Sequence, residues 1–329
     1  MNKKIIYFTA PRQVELREEL LPALGADEVL VETLCSAISA GTEMLVYREQ
    51  FPHLNDSHDP YSSQLKYPLA YGYACVGRIR ETGRHADKSL LDKLVFGFQP
   101  HTSAFICQPS SLLFAPASLP AEACSFLPNM ETAVNLIQDA APILGERALV
   151  MGQGVVGLLV ASLLKEFPLE ILITSDFFAS RRKASLVIGV NDSFDPQTRY
   201  AVGKDKFDLT FELTGSPSAL NDAIELTAFS GRIIVGSWYG EKKAPMQLGG
   251  SFHRSRIKLV SSQVSTIAPE LSGRWDKARR FEVAWEALKR IQPQKWITHR
   301  FSIEDAAKAY QLLDETPQET IQVVIDYTS

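Results

Sequence analysis

The chain has 329 residues, a formal net charge of −4 at pH 7 and four cysteines. This length can bury a sizeable core and favours two domains over one, and the mild acidity argues against nucleic acid or an anionic membrane surface as a partner. The sequence has no apolar run long enough to cross a membrane, and its cysteines form no close pair. We therefore expect a cytoplasmic globular protein with reduced thiols at Cys35, Cys75, Cys107 and Cys124.

The first third of the chain is predicted to be rich in β-strands. Short apolar or alternating runs, EVLVETLC at 28–35, CVGRIRETG at 75–83 and DKLVFGFQ at 92–99, are typical of strands. Further on the pattern changes to that of a helix, which Pro128 interrupts. We assign residues 1–126 to the first part of a β-rich domain.

The middle of the chain alternates strands with helices. The predicted strands are RALVMG at 147–152, EILITSD at 170–176, FDLTFELTG at 207–215 and GRIIVGSW at 231–238. The predicted helices between them are VVGLLVASLLKEF at 155–167, ASRRKASLVIG at 179–189 and SPSALNDAIELTA at 216–228. Such alternation predicts βαβ units and a doubly wound parallel sheet of the α/β class, which we place at residues 127–262.

The last part, residues 263–329, is predicted to return to the first domain. It contains a predicted helix at 273–291, another that begins at Ser302, and a closing strand at 320–327. Five residues near helical spacing in the first of these helices are predicted to be core, namely Trp275, Ala278, Phe281, Trp285 and Leu288. Ser302 and Asp305 have the spacing of a capping box.

The stretch ALVMGQGVVGLLV at 148–160 has three glycines in G-x-G-x-x-G spacing between a strand and a helix. In a dinucleotide site Gly152 permits the tight turn, Gly154 lets the backbone approach a pyrophosphate, and Gly157 allows close helix–strand packing. The helix then offers free N–H groups at Val155 and Val156 to the phosphates. The alternative is a turn that only packs tightly, but the strand–loop–helix context favours a dinucleotide site.

Asp176 ends the second strand of this unit, where a carboxylate is expected to bind the ribose hydroxyls. It would repel a 2′-phosphate, so NAD is favoured slightly over NADP. The alternative role for Asp176 is that of a helix cap. Arg181 and Arg182 lie one helical turn further on and could serve NADP, or could form a solvated helix face.

Several segments together resemble the medium-chain dehydrogenase/reductase family, of the zinc alcohol dehydrogenase kind. They are PALGADEVLVETLCSAISAGTEM, YPLAYGYACVGRIRETG, DKLVFGF, the glycine loop and FSIEDAAKAYQLL with IQVVIDY. The resemblance covers nearly the whole chain. It implies a GroES-like catalytic domain formed by both chain ends, a Rossmann domain between them, and an active site in the cleft between the domains. The segments VGSWYG, FHRSRIKLVSSQ and RWDKARRFEVAWEAL are similar to the bacteriochlorophyllide hydroxyethyl dehydrogenase-like subgroup.

The chain departs from the family at the zinc ligands. The Cys-Gly-Thr-Asp motif aligns with AGTE, which places Ala40 where the cysteine would be, and the Gly-His-Glu motif aligns so that Tyr73 replaces the histidine. A third ligand would fall near Met130 or Glu131. Ala40 has no donor atom, a neutral phenol is a poor zinc ligand, and the four-cysteine structural zinc lobe is absent. The resemblance therefore implies a zinc-lacking member.

Without zinc, hydroxyls, an imidazole or backbone N–H groups must polarise the substrate oxygen. Thr42 lies where the family has a proton-relay hydroxyl, Tyr73 where it has the ligand histidine, and His101 is a candidate general acid. The alternatives are that Thr42 satisfies a turn, Tyr73 fills the core and His101 lies on the surface. The resemblance also implies cofactor contacts from two later strand ends, at Thr214, Gly215, Gly236, Ser237 and Trp238.

The leading functional hypothesis is hydride transfer between NAD or NADP and a secondary alcohol or carbonyl, without zinc. One alternative is a quinone or enone reductase, and another is a non-catalytic nucleotide-binding sensor or structural protein. From the family we expect a homodimer through the edge segment RIKLVSSQ at 256–263, and a small-molecule substrate.

Overall fold

The computed structural model describes residues 1–51, 65–198 and 206–327. The chain divides into two compact units, the first made of Met1–Pro128 with Gln292–Ser329 and the second of Asn129–Ile291. No helix within the described ranges is both long and apolar enough to cross a membrane.

The first unit holds two mainly antiparallel sheets. The three-stranded sheet has the order β2-β1-β4, with β1 at Asn2–Ala10, β2 at Gln13–Leu20 and β4 at Leu69–Ala70. The seven-stranded sheet has the order β15-β16-β3-β5-β6-β8, and β7 also pairs with β3. Its strands are β3 (Val29–Ile38), β5 (Cys75–Thr82), β6 (Leu94–Gly97), β7 (Ala104–Cys107), β8 (Leu113–Phe114), β15 (Ile297–Ser302) and β16 (Gln322–Asp326). The helices are α1 (Thr42–Tyr47), α2 (Ala121–Cys124) and α8 (Ala306–Glu315).

Both chain ends build this unit, because β16 pairs antiparallel with β3. Strand β3 is apolar along most of its length and is buried or half-buried throughout, as a central strand covered on both faces should be. One core cluster lies around Val31, Ile79 and Val95, and a second lies around Phe8 and Met44.

The second unit is a parallel six-stranded sheet with the order β11-β10-β9-β12-β13-β14. Its strands are β9 (Arg147–Met151), β10 (Ile171–Ser175), β11 (Asp192–Phe194), β12 (Phe207–Glu212), β13 (Thr227–Val235) and β14 (Lys258–Ser261). The remaining helices are α3 (Leu127–Ala140), α4 (Val155–Leu164), α5 (Ala179–Ile188), α6 (Ala219–Leu226) and α7 (Lys277–Ile291). Counted within the unit, this is the 3-2-1-4-5-6 order of doubly wound nucleotide-binding sheets. The strands that follow β9 in the chain are first added on one side of it, and from β12 onward they are added on the other side. The ligand crevice is expected at the carboxyl ends of β9 and β12, where this reversal of strand order occurs. The predicted α/β class is confirmed.

The boundary at the end of the second unit differs from the predicted one. Helix α7 lies in the second unit, so the return to the first unit comes at Gln292 instead of residue 263. The reason is that α7 buries the charged Arg280 against Glu131 of α3, a contact that no apolar pattern reveals. Three of the five predicted core residues of α7 are buried. Ala278 is exposed, and Trp275 precedes the helix with the Arg279 guanidinium 4.1 Å from its ring centroid.

Two smaller predictions change in the structure. The capping box at Ser302 and Asp305 is wrong, since neither side chain makes a cap hydrogen bond and the Asp305 carboxylate pairs with Lys308 at 2.7 Å instead. The helix break falls between α2 and α3, and Pro128 lies in the first turn of α3, where its missing N–H is tolerated.

Candidate functional site

The glycine loop joins β9 to α4 at the point where the sheet reverses. Gly152 has a φ of +88°, and a Cβ there would lie 2.5 Å from the Leu213 carbonyl oxygen. A Cβ at Gly157 would lie 1.9 Å from the Gly152 carbonyl oxygen. A Cβ at Gly154 would meet only the Arg181 guanidinium, at 4.0 Å. The outer glycines are therefore required by packing, and the central one leaves the open space that a pyrophosphate needs.

Helix α4 begins at this open space. Its N-cap is Gly154, which has no side chain to cap the helix, so the first-turn amides of Val155 and Val156 gain no side-chain acceptor there. The helix is buried from Gly157 onward, which fixes its N-terminus against the sheet. This is the arrangement in which a helix N-terminus binds phosphate oxygens.

Asp176 connects β10 to the glycine loop. One carboxylate oxygen accepts the Gln153 backbone N–H at 2.7 Å, and the other accepts the Phe178 N–H at 2.8 Å. The Gln153 side chain is buried and donates to the Val150 and Gly152 carbonyls at 3.1 and 3.0 Å. The alternative role of Asp176 as a helix cap is not seen, because its carboxylate bonds Phe178, which precedes α5, and that helix start has no side-chain cap hydrogen bond. These bonds place the carboxylate beside the glycine loop.

The two neighbouring arginines have different surroundings. The Arg182 guanidinium donates to the Asp176 and Phe177 carbonyls at 2.7 and 2.8 Å and to Asp195 at 3.1 Å, so it is held within the protein. The Arg181 guanidinium lies 4.0 Å from the Asp176 carboxylate, beside Gly154. Burial lowers the pKa of Arg181, and the charge of Asp176 opposes that shift.

The loops after β12 and β13 are bonded to each other. The Gly215 N–H donates to the Ser237 hydroxyl at 2.9 Å, and the Gly236 N–H donates to the Glu212 carbonyl at 3.1 Å. Thr214 and Trp238 flank these contacts, so all five predicted residues lie at the carboxyl ends of β12 and β13. The structure thus groups them at the edge of the sheet where the ligand is expected.

Sequence reasoning missed Glu212, the last residue of β12. Its side chain is fully buried and accepts hydrogen bonds from the Thr214 N–H at 2.8 Å, from the Thr214 hydroxyl and from the Tyr239 hydroxyl at 2.5 Å. An acidic residue that ends an otherwise apolar strand was the available signal.

In the first unit, Thr42 and Tyr73 form a hydroxyl pair. Thr42 begins α1, and its side chain and that of Ser39 hydrogen-bond the half-buried Tyr73 phenol. Burial raises the pKa of Tyr73 to about 12, the charge of Glu43 adds to the shift, and the hydrogen bonds from Ser39 and Thr42 oppose it. Tyr73 is therefore protonated at neutral pH.

His101 is fully buried, so it is not the surface histidine of the alternative interpretation. Its Nε2 lies 2.9 Å from the Glu43 carboxylate and its Nδ1 lies 2.6 Å from the Ser36 hydroxyl. Since a carboxylate only accepts, we assign the Nε2 proton to the bond with Glu43. A Cβ at Gly72, which has a φ of +114°, would lie 2.5 Å from the His101 ring, so this glycine makes room for the imidazole.

Glu43 is a second buried residue whose role the sequence did not predict. Its carboxylate is the hub of this buried network, in the sense that several of the other members bond to it. Its carboxylate accepts the Ser39 N–H at 2.8 Å and the Tyr310 hydroxyl at 2.6 Å, besides the His101 ring. Burial, with the charge of Glu43 next, raises the pKa of Tyr310 well above its usual value. The hub fixes the start of α1, and with it the position of Thr42.

The residues at the zinc-ligand positions do not fit a catalytic zinc. Ala40 offers a methyl group, Tyr73 a protonated phenol, and Glu131 is paired with Arg280 at 3.0 Å and with Lys277. Met130 is buried. Among the residues that the structure describes, no group of three or more His, Cys, Asp or Glu side chains is placed to hold a metal ion.

Comparison with curated proteins finds dehydrogenases that align over nearly the whole chain. D-guloside 3-dehydrogenase of Escherichia coli (strain K12) is 22% identical over 350 aligned residues, covering 99% of this chain and 100% of that protein. L-threonine 3-dehydrogenase of Xanthomonas campestris pv. campestris (strain B100) is 22% identical, covering 95% of this chain and 96% of that protein. No protein-family profile matches the chain.

Solved structures of the same fold also cover the full length. An Escherichia coli oxidoreductase/dehydrogenase of unknown specificity has a TM-score of 0.83 at 15% identity, with 100% of both chains covered. The rspB alcohol dehydrogenase of Escherichia coli CFT073, solved with NADH, has a TM-score of 0.77 at 18% identity, with 99% of both chains covered.

The fold and the curated relatives together define a class. The chain is similar over nearly its whole length to curated dehydrogenases, and the predicted resemblance to the medium-chain dehydrogenase/reductase family is confirmed. The subgroup and the loss of zinc stay predictions.

Proposed function

We propose that this protein transfers a hydride between a nicotinamide cofactor and a secondary alcohol or the corresponding carbonyl, without a metal at the reaction centre. The observation that carries the proposal is the glycine loop at the reversal point of a 3-2-1-4-5-6 sheet, with open space at Gly154 and uncapped amides at the start of α4. Relatives that share the full length of the chain are named dehydrogenases, which supports the reaction class.

The cofactor we propose is NAD in preference to NADP. Asp176 places a carboxylate beside the glycine loop, where it can accept from ribose hydroxyls and would repel a 2′-phosphate. Arg182 is held by backbone carbonyls and Asp195, which leaves only Arg181 of this pair beside the loop. When bound, the nicotinamide supplies or receives the hydride.

Tyr73 and Thr42 are the groups that we propose for the substrate oxygen. In zinc enzymes the metal polarises that oxygen, and here a hydroxyl hydrogen bond must replace it. Since Tyr73 is protonated at neutral pH, it suits the role of a donor to a carbonyl oxygen, and Thr42 holds the phenol in place. His101 is a positioning residue, because both of its ring nitrogens are bonded inside the protein.

A quinone or enone reductase is the second candidate. It is supported by the same observation at the zinc positions, since a hydroxyl donor at Tyr73 could polarise a conjugated carbonyl while hydride adds to carbon. The third hypothesis, a non-catalytic nucleotide-binding protein, is supported by the loss of both zinc motifs.

We also propose a homodimer through the edge of the second unit's sheet. Strand β14 is the last strand of that sheet, and Leu259 on it is partly exposed. An edge strand with free backbone groups is a surface that a second copy could extend.

An assay on metal-stripped protein tests the proposal. The protein is treated with a chelator, its metal content is measured, and NADH oxidation is followed with a panel of ketones, quinones and enones. We expect turnover of ketones with less than one zinc for every ten chains, and about a hundredfold loss in Tyr73→Phe. Turnover that requires one zinc per chain would refute the metal-free mechanism. Binding of NADH without turnover of any carbonyl would favour the non-catalytic hypothesis.

A further inference from the structure

The carboxyl ends of β12 and β13 are joined by a buried carboxylate that the proposed reaction does not use. One Glu212 oxygen accepts the Thr214 N–H at 2.8 Å, in the loop after β12. The other accepts the Tyr239 hydroxyl at 2.5 Å, in the loop after β13. Glu212 therefore bonds both loops at once, from a position that is fully buried.

Main-chain and hydroxyl contacts repeat the same connection. The Glu212 carbonyl accepts the Gly236 N–H at 3.1 Å and the Ser237 N–H at 3.3 Å. The Ser237 hydroxyl accepts the Gly215 N–H at 2.9 Å. Gly236 and Ser237 thus both bond to the end of β12 or to the loop that follows it. The Tyr239 hydroxyl adds a further bond to Glu212, one residue beyond Trp238.

These anchors determine where Trp238 can lie. Its neighbours on both sides, Ser237 and Tyr239, are bonded to Glu212, and the Tyr239 ring packs on the core of the second unit. The Trp238 side chain itself is 49% exposed, although an indole this large is mostly buried in an ordinary interior. The structure therefore leaves about half of a flat aromatic ring exposed at the carboxyl edge of the sheet.

The place of this edge follows from the sheet order. A dinucleotide lies across the reversal point of a doubly wound sheet, and Asp176 marks the adenosine half on the β10 side. The other half must then extend over β12 and β13, where Glu212, Ser237 and Trp238 lie.

We propose that Glu212 is a positioning residue for the nicotinamide half of the cofactor. By bonding the two loops to each other it holds the half-exposed Trp238 in place as a preformed platform for the nicotinamide ring before any ligand binds. The inference rests on the proposed function, since it needs a dinucleotide in this site. Preorganisation of this kind raises affinity because less conformational freedom is lost on binding.

Two substitutions test the connection in the full-length protein. Tyr239→Phe removes one hydroxyl and keeps the packed ring, and Glu212→Gln keeps the shape and loses an acceptor. NADH and ADP-ribose are titrated into each, because ADP-ribose has the adenosine half and both phosphates but lacks the nicotinamide. Tyr7→Phe is the matched control, since it removes another tyrosine–glutamate hydrogen bond, 2.7 Å long, in the other unit.

We expect both variants to bind NADH about tenfold more weakly and ADP-ribose within about twofold of the wild type. Energy transfer from tryptophan to bound NADH should fall in both variants and be weakest in Trp238→Phe. Tyr7→Phe should match the wild type for both ligands.

Equal weakening of both ligands, or no weakening of either, would overturn the inference, because a purely structural role would not separate the two ligands. If Glu212→Gln does not fold, the comparison in Tyr239→Phe decides. Wild-type protein that binds neither ligand would refute the proposed function and this inference with it, whereas unchanged ligand ratios in the variants would refute only the inference.

Discussion

The backbone N–H of Gln153 donates to the carboxylate of Asp176 at 2.7 Å, at the carboxyl edge of the parallel sheet. The bond ties the second residue of the glycine loop to the end of β10. A carboxylate oxygen can accept more than one hydrogen bond, so the same side chain can shape the loop and also accept from a ribose hydroxyl. The loop geometry and the proposed cofactor preference therefore depend on one residue.

Replacing Asp176 by asparagine should weaken both the hydrogen bond that shapes the glycine loop and the binding of the ribose. We expect about a tenfold loss of NADH affinity, a smaller preference for NADH over NADPH, and a loss of about 1–2 kcal/mol in the free energy of unfolding. Calorimetric titration and urea unfolding measure these changes. Asp208→Asn is the matched control, because Asp208 accepts the Arg147 N–H at 2.9 Å at the opposite edge of the sheet and should lose stability without losing NADH affinity. NADH binding by Asp176→Asn at wild-type strength would contradict the assignment.

Alanine substitutions at two glycines of the loop should have different effects, one on the free energy of unfolding and the other on NADH affinity. Alanine at Gly157 forces a Cβ against the Gly152 carbonyl, 1.9 Å away, so we expect a loss of about 2–3 kcal/mol in the free energy of unfolding. Alanine at Gly154 enters open space, and its φ of −66° suits any residue, so we expect a change below about 1 kcal/mol. Gly154→Ala should nevertheless weaken NADH binding more than about tenfold, by blocking the pyrophosphate. A folded Gly154→Ala protein with normal NADH affinity would argue against the loop as the phosphate site.

The hydroxyl pair predicts a particular pH dependence. The pKa of Tyr73 is raised to about 12, so the phenol keeps its proton below that pH and loses it above. The rate of carbonyl reduction should therefore not fall through loss of the Tyr73 proton between pH 6 and about pH 10. Thr42→Val should reduce kcat about tenfold, and Thr42→Ser should restore most of it, since only the hydroxyl is needed. Steady-state kinetics across this range measures both effects. A fall in rate with a pKa near 8 that Tyr73→Phe abolished would contradict the raised pKa of Tyr73, and a rate unchanged in Tyr73→Phe would count against Tyr73 as the donor.

Two histidine–carboxylate pairs in the first unit differ in burial and should differ in their contribution to stability. His101 and Glu43 are fully buried, and the His101 Nε2 lies 2.9 Å from the Glu43 carboxylate. His85 and Asp27 are exposed, and the His85 Nδ1 lies 3.2 Å from the Asp27 carboxylate. His101→Ala removes a donor from a buried carboxylate and should lower the free energy of unfolding by about 3 kcal/mol, and His85→Ala by less than about 0.5 kcal/mol. Urea unfolding of both variants provides the comparison. A loss in His101→Ala as small as that in His85→Ala would show that the buried network does not stabilise the unit.

The sequence allowed the sheet class and the glycine loop to be predicted because both depend on local patterns. The strand-loop-helix pattern and the glycine spacing lie within residues 147–167. The hub at Glu43 could not be predicted in the same way, since its bond to Tyr310 joins residues 267 positions apart. Helix α7 was placed in the wrong unit for a similar reason, because its docking depends on the charged pair between Arg280 and Glu131.

Thermal unfolding of the wild-type protein with NAD, NADH, NADP and NADPH, each added separately, tests the central claim most directly. A ligand that binds the native state raises the melting temperature by mass action. The account predicts a rise with NAD and NADH that exceeds the rise with NADP and NADPH, and its loss in Gly154→Ala. No rise with any of the four nucleotides would contradict the claim that the loop at Gly152–Gly157 is a dinucleotide site.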